Sequence, residues 1–518
     1  MTQVSADPAD PAGSVRRAAS AANGNGRDDP VPAGQAGVIE RTRPSGPPGP
    51  IPPNGPVERL MSWTIRKLSW SRLSDPRVAV AVTAAGLLLA MIVGATAPNS
   101  QTIRYVWLPL TNLTSLVLHG GHQTVVPGLH DLIASITLYL AIVLACAGLA
   151  GMLWAHSQGW RPNPRRLFLA SSVVVAIFAC LTPVGSSDTA SYAAYGRIAA
   201  LGHDPYSANA VPWLQHHDFA YYHVVVYEWN HQASVYGPVA TWVQSFAAHI
   251  GGQSVQTTIW VLMILNALVF LAVGLLLLKT SDDPIRATLF WTANPVLILE
   301  LVAGGHFDTF VAATAIAAIQ LARKTHGLWS DLLIGVLIGI GCGIKVTAAL
   351  VALGLAWTLL RRREYLRVGR ITLAAMVTVA AEYSYYGLGG LKPLFAGSQW
   401  VSLPSVLWIP WRIAEVAGVR QSALALPVSV VWITAMFVVA WLIYQRISAD
   451  QPREVVAPFA LTFAYILVSP WVYAWYTALP WVALTQVPRN RMTRWLTIVT
   501  VVLAIWHSNG GWVPSGQI

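Results

Sequence analysis

An all-α, polytopic membrane bundle is the fold class this sequence predicts, and three observations carry the prediction. Of 518 residues, 55% are hydrophobic and only 11% are charged, less than half the roughly 25% charged residues of an average soluble domain. Apolar runs close to the ~20 residues that cross a bilayer as a helix recur from Val78 onward. The Lys and Arg residues behind the net charge of +11 sit in short clusters between those runs. A continuous basic stripe would point to nucleic acid, whereas clusters between apolar runs are how membrane proteins fix their orientation.

The elements follow in order. Residues 1–56 are rich in Pro, Gly, Ala and Asp without apolar periodicity, and predict a disordered cytoplasmic tail. No apolar stretch follows their charges, so a signal peptide is not expected. Residues 57–77 place Arg66, Lys67, Arg72 and Arg77 among Leu, Trp and Ile, the pattern of an amphipathic segment on an anionic inner leaflet. The multi-span domain occupies 78–513. Its expected spans are 78–97, 131–154, 167–184, 254–278, 284–303, 308–323, 329–343, 346–360, 370–387, 426–446, 455–469, 473–486 and 493–510, about thirteen transmembrane helices. A stretch at 238–250 is too short to cross and is placed on the outer interface.

Orientation comes from charge. With the N-terminus inside, the cytoplasmic loops receive Arg161, Arg165, Arg166, Lys279, Arg361–Arg363, Arg446, Arg489 and others. The outer loops keep Arg104, Arg197, Lys345, Lys392, Arg412 and Arg420. This is a strong positive-inside bias, and it predicts a plasma (inner) membrane protein with a large first extracytoplasmic loop at 185–253. Cys146, Cys180 and Cys342 each lie in an apolar run and read as small buried hydrophobes, without disulfide or zinc spacing.

Polar residues that look out of place gather on the outer side. Asp188, in Gly185-Ser186-Ser187-Asp188-Thr189-Ala190-Ser191-Tyr192, directly follows a span. Its position suits a helix N-cap or a catalytic base equally. The same loop holds Gly202-His203-Asp204-Pro205-Tyr206, Glu228 and His231, and Ser234-Val235-Tyr236-Gly237-Pro238. The next outer end carries His306 and Asp308 in Gly304-Gly305-His306-Phe307-Asp308. A divalent metal there would need a third ligand from elsewhere, so hydrogen bonding to a polar head group is favoured over metal, and no metal residues are assigned. Lys345 has no acid close in sequence, and an anion is the favoured partner. Trp471, Tyr473 and Trp475 lie between two spans, where aromatics form an interfacial belt or a wall for a sugar or isoprenoid. There is no Walker A, GxSxG or HExxH sequence.

Taken in this order, these segments resemble the polytopic GT-C glycosyltransferases, most closely the actinobacterial polyprenyl-phosphate-mannose-dependent α-1,6-mannosyltransferases. The resemblance covers roughly 78–513. It implies a GT-C-like bundle that moves mannose from polyprenyl phosphate mannose to a growing mannan or glycolipid acceptor, with inversion, outside the cytoplasm. Under it Asp188 is the base, with Asp204 as fallback, because the family's acid usually follows the first span and here follows the third. Lys345 and His306 would meet the donor phosphate. Tyr192, Asp204, Glu228, His231, Tyr236, Asp308, Trp471, Tyr473 and Trp475 would contact substrate. A glucosyl or arabinosyl donor stays open. A transporter or flippase of lipid-linked sugars is less supported, since no internal repeat is found and the polar residues lie at one surface.

Overall fold

The computed structural model describes residues 75–103, 105–113, 129–226, 229–391, 401–403, 405–419, 421–488 and 490–507. The expected tail and most of the juxtamembrane segment lie outside them. Among the described residues the regular structure is helical, with one isolated antiparallel bridge between Thr102 and Val184.

Several helices start where an Asx residue precedes proline. Asp75 caps α1 (Pro76–Ala95), Asn163 caps α3 (Pro164–Ala179), Asp283 caps α7 (Pro284–Phe290) and Asn294 caps α8 (Pro295–Ala303). In each, the side-chain oxygen accepts an early backbone N–H, while proline occupies a first-turn position that needs no donor. The other main helices are α2 (Leu129–Ser157), α4 (Asp188–Ala200), α5 (Pro238–Gly251), α6 (Val255–Thr280), α9 (Asp308–Lys324), α10 (Leu328–Ile344), α11 (Ala349–Arg361), α12 (Tyr365–Tyr386), α13 (Gln421–Arg446), α14 (Arg453–Val468), α15 (Ala478–Leu484) and α16 (Met492–His507).

Among the described residues, four helical segments are long and apolar enough to cross a membrane: Pro76–Ala95, Asp131–Ser157, Val255–Thr280 and Leu426–Arg446. A fifth is added if α7 and α8, bent by 40° at their break, count as one span. The expected runs reappear as helices, but the count of about thirteen is not reached by this measure. Breakers inside apolar sequence shorten the elements. Asn294-Pro295 divides α7 from α8, Lys345 ends α10, and Ser469-Pro470 ends α14. A 16-residue helix such as α3 or α14 is about 24 Å long, less than the ~30 Å hydrocarbon thickness.

The helices pack both with sequence neighbours and with more distant partners. α1 lies against α2, α4 against α5, α9 against α10, α10 against α12, and α14 against α11 and α13. The outward faces stay apolar: Leu132, Ile133 and Ile136 on α2, and Val430, Phe437 and Trp441 on α13, are exposed. Such continuous apolar faces need lipid as their solvent, which supports reading the chain as a membrane protein.

The two ends of the α9–α12 group differ in charge. At one end Arg367 Nε donates to Asp331 at 2.8 Å, and its Nη2 donates to the Ala322 and Thr325 carbonyls. Arg370 reaches the same carboxylate at 3.5 Å, and Arg362 pairs with Glu454, 92 residues away in the chain. Asp308 and Lys345 lie at the opposite end. The Arg367 and Asp331 side chains are 8% and 1% exposed, so removing one partner strands a buried charge. Arg367→Met is expected to destabilise the protein by about 3–5 kcal/mol, and Asp331→Leu/Arg367→Met to recover most of that loss. Thermal unfolding in detergent, with equal losses in the single and double variants as the contrary result, checks this.

Candidate active site

The site begins with a turn that is fixed before any candidate side chain appears. The Val184 N–H donates to the Ala303 carbonyl and the Gly185 N–H to Gln101, which anchors the entry to α4. Thr189, in the first turn of α4, donates its hydroxyl to the Gly304 carbonyl at 3.1 Å. Opposite, α8 ends in a π-helical stretch, Ile298–Ala303, and Gly305 takes a φ of 72°. Only glycine adopts that left-handed conformation without strain, and it turns the chain so that His306 faces α4. Asn266 of α6 donates its amide to the Leu301 and His306 carbonyls and holds the turn from behind.

Asp188 does not cap its helix. Ser187 occupies the N-cap position, and Asp188 is the first helical residue. Its own N–H donates to Ser186 Oγ at 3.2 Å. The carboxylate instead accepts from the Tyr192 hydroxyl at 3.1 Å, one helical turn on. Tyr192 and Tyr236 hydroxyls lie 2.8 Å apart. A phenol has one proton to give, so with Tyr192 donating to Asp188, Tyr236 donates to Tyr192. Both tyrosines are buried.

His306 completes this group. Its Nδ1 donates to the Glu300 carbonyl, which leaves Nε2 as an acceptor, 3.0 Å from Ser186 Oγ and 3.6 Å from Asp188 Oδ2. Burial pushes the imidazole down to about 4, so it is uncharged at neutral pH. The Asp188 carboxyl moves the other way. Burial raises it above the ordinary range, while the Tyr192 hydrogen bond and the Lys345 ammonium hold it partly down. Asp188 stays 22% exposed, so a substrate can reach it.

Asp308, the first residue of α9, likewise makes an ion pair in place of a cap. Lys345 Nζ lies 3.0 and 2.9 Å from its two carboxylate oxygens and 3.8 Å from the centre of the Tyr476 ring. No acid lies close to Lys345 in sequence, and the fold brings it Asp308 from 37 residues away. Gly237 keeps this tip close to α5. A Cβ on Gly237 would stand 2.3 Å from the Gly343 carbonyl oxygen, inside any tolerable contact. The same approach lets the Gly237 N–H donate to the Ile344 carbonyl and sets Tyr236 beside the tip.

An aromatic wall faces these groups. His306 stacks on Trp475 at 3.9 Å and 11°, Trp475 on Tyr473 at 4.7 Å and 13°, and Trp471 meets Tyr473 edge-on at 5.1 Å. Ser402 and Ser405 brace the wall by hydrogen bonds to the carbonyls of Ser469, Pro470 and Val472.

Of the residues singled out from sequence, Asp188, Tyr192, Tyr236, His306, Asp308, Lys345, Trp471, Tyr473 and Trp475 therefore form one chain of contacts. Asp204 does not join it. Exposed, it accepts from the Tyr206 N–H at 2.9 Å and closes its own turn. His231 sits exposed in a turn further along the loop, and Glu228 lies outside the described residues. Ser186, Tyr476 and Glu300 were missed as site residues. Tyr476 stood in the aromatic run and Ser186 in the Asp188 segment, but Glu300 had no signal beyond being an acid inside an apolar stretch. Among the described residues no three His, Cys, Asp or Glu side chains converge as metal ligands.

Residues 82–361 match the family model described as α-(1→6)-mannopyranosyltransferase, N-terminal domain. The chain is 27% identical to α-(1→6)-mannopyranosyltransferase B of Corynebacterium glutamicum over 61% of its own length and 54% of the relative's. It is 30% identical to α-(1→6)-mannopyranosyltransferase A of Mycobacterium tuberculosis over 43% of its length and 46% of the relative's. With the A protein of Corynebacterium glutamicum the identity is 26%, over 36% and 37%. The chain thus spans about half the length, or less, of the relatives it matches. No solved structure matches it. The matched segment contains Asp188, Tyr192, Tyr236, His306, Asp308 and Lys345, and the chain belongs to the α-(1→6)-mannopyranosyltransferase family.

Proposed function

We propose that this protein transfers a mannosyl residue from polyprenyl phosphate mannose to an α-1,6-mannan or glycolipid acceptor at the extracytoplasmic end of the bundle, with inversion. The single observation that carries the reading is Asp188: a reachable carboxylate held by Tyr192, beside the neutral acceptor nitrogen of His306. The activity for which the family is named and the apolar outer faces support it. The Arg367, Arg370 and Arg362 pairs at the far end agree with a cytoplasmic side there, and hence with the site facing out.

In the reaction, Asp188 takes the proton of an acceptor hydroxyl as that oxygen bonds to the anomeric carbon. The bond from that carbon to the phosphate oxygen breaks at the same time, and the polyprenyl phosphate leaves with the electron pair. General-base help of this kind contributes about 10²–10⁴ in rate. Lys345 offsets the charge on the leaving phosphate, with Asp308 and the Tyr476 ring keeping the ammonium in place. His306, being neutral, contributes a hydrogen-bonding nitrogen and not a cation. Tyr473 and Trp471 offer aromatic faces to the sugar and the first isoprene units.

The base works only when deprotonated, so its raised pKa makes the rate climb with pH. The acid limb of kcat/KM should lie above the ~3.9 of an ordinary Asp. Asp188→Asn should cost about 10²–10⁴ in transfer of radiolabelled mannose from polyprenyl phosphate mannose to a short α-1,6-mannoside. Near-wild-type turnover in a correctly inserted variant would remove Asp188 from its role. Tyr192→Phe deletes the hydrogen bond that favours the charged carboxylate, so it should shift the acid limb to higher pH. An unmoved or lowered limb would contradict the proton assignment drawn for this pair.

A further inference from the structure

The aromatic wall continues past Trp471. Trp229 reaches it from the loop between α4 and α5 and meets the Trp471 ring edge-on, at 6.5 Å and 89°. The rings of Trp229, Trp471, Tyr473, Trp475 and His306 therefore form one ladder of contacts. Its inner end is buried, with Trp475 6% and His306 1% exposed, and it reaches Asp188 through His306. Tyr473, Trp471 and Trp229 are each half-buried, so a ligand has access to the outer rungs. The outermost contact is pinned from both sides. The Trp471 N–H donates to Ser469 Oγ at 3.3 Å and the Val472 N–H to Ser402 Oγ at 3.0 Å. Across from them, the Tyr195 hydroxyl donates to the Gln232 carbonyl at 3.2 Å and the Ser234 N–H to the Pro205 carbonyl. These bonds hold the loop segment that carries Trp229.

We infer that Trp471 and Trp229 bind acceptor sugars beyond the one that reacts, and that Trp229 thereby selects an oligosaccharide over a shorter acceptor; the inference rests on the transferase reading above. An interfacial belt would set its rings against lipid head groups, whereas these rings touch one another and lead inward to a carboxylate. An isoprenoid would need an apolar path back to the lipid. Trp229 is instead followed by Asn230, His231 and Gln232, half-buried or exposed, on a loop outside the long apolar helices. The electron-rich face of an aromatic ring suits the C–H face of a pyranose, and a held indole gives a large contact area at small entropy cost. A ladder of five rings is longer than one monosaccharide. The reacting sugar lies at its Asp188 end, and the sugars already joined to it lie outward along Trp471 and Trp229.

The test has two arms, both on the full chain in lipid nanodiscs. In the binding arm, calorimetry without donor should find α-1,6-mannotetraose bound about three- to tenfold more tightly than α-1,6-mannobiose, the gain of one further aromatic contact. Trp229→Ala should bring the two affinities together, and Trp229→Phe, which keeps a ring, should retain most of the difference. Equal affinities in the wild-type protein, or a preference that survives Trp229→Ala, would overturn the inference. In the kinetic arm, with polyprenyl phosphate mannose as donor, the ratio of the mannobiose KM to the mannotetraose KM should fall toward one in Trp229→Ala. A changed donor KM with that ratio intact would put the isoprenoid on Trp229, overturning the inference and leaving the transferase reading standing. A length preference in binding that Trp229→Ala abolishes, without any sugar transfer, would keep the saccharide track and sink the transferase reading instead.

Discussion

The ion pair between Asp308 and Lys345 is the constraint on which the rest of the site depends. An isolated carboxylate or ammonium at the end of an apolar bundle is costly to desolvate, and each becomes tolerable only with the other in place. Their pairing fixes the start of α9 against the tip that follows α10 and sets Lys345 over Tyr476. The tip in turn receives Gly237, and through it Tyr236, which donates to Tyr192 and so to Asp188. Asp188 therefore owes its position to a relay of hydrogen bonds anchored by a charge pair two helices away.

The charges around this relay are ordered. Asp188 with Ser186 and Tyr192 forms one group, while Lys345 with its counter-ion Asp308 and the Tyr476 ring forms another. The neutral His306 and the stacked Trp475 stand between. Such a division suits a reaction in which a neutral hydroxyl meets a phosphate-bearing donor. In the proposed reaction Asp188 acts away from the phosphate's negative charge, and Lys345 where the leaving group develops its own. Because these groups are fixed by the fold before substrate arrives, little reorganisation accompanies the chemistry.

Much of this site was legible in the sequence because the chain is so apolar. Acids, histidines and a lysine at the ends of hydrophobic runs are costly there, so Asp188, His306, Asp308 and Lys345 stood out without any structure. The aromatic run at Trp471–Tyr476 was visible for the same reason. The pairing of Lys345 with Asp308 was not, since 37 residues separate them and local sequence carries no record of which helix ends meet. Glu300 was hidden inside a run read as an uninterrupted span, because a π-helical bulge has no composition of its own. The all-helical class followed from hydropathy, but helix length did not. Asn294-Pro295, Lys345 and Ser469-Pro470 divide or end apolar sequence at points that a hydropathy window averages away.

The proposed reaction stands on Asp188 working as a base in a single displacement. The most direct measurement is the anomeric configuration of the product, read by NMR after transfer from β-linked polyprenyl phosphate mannose to a short mannoside in nanodiscs. One displacement with base assistance predicts an α-linked product. A β-linked product would require a covalent sugar intermediate on the protein and would contradict the role given to Asp188.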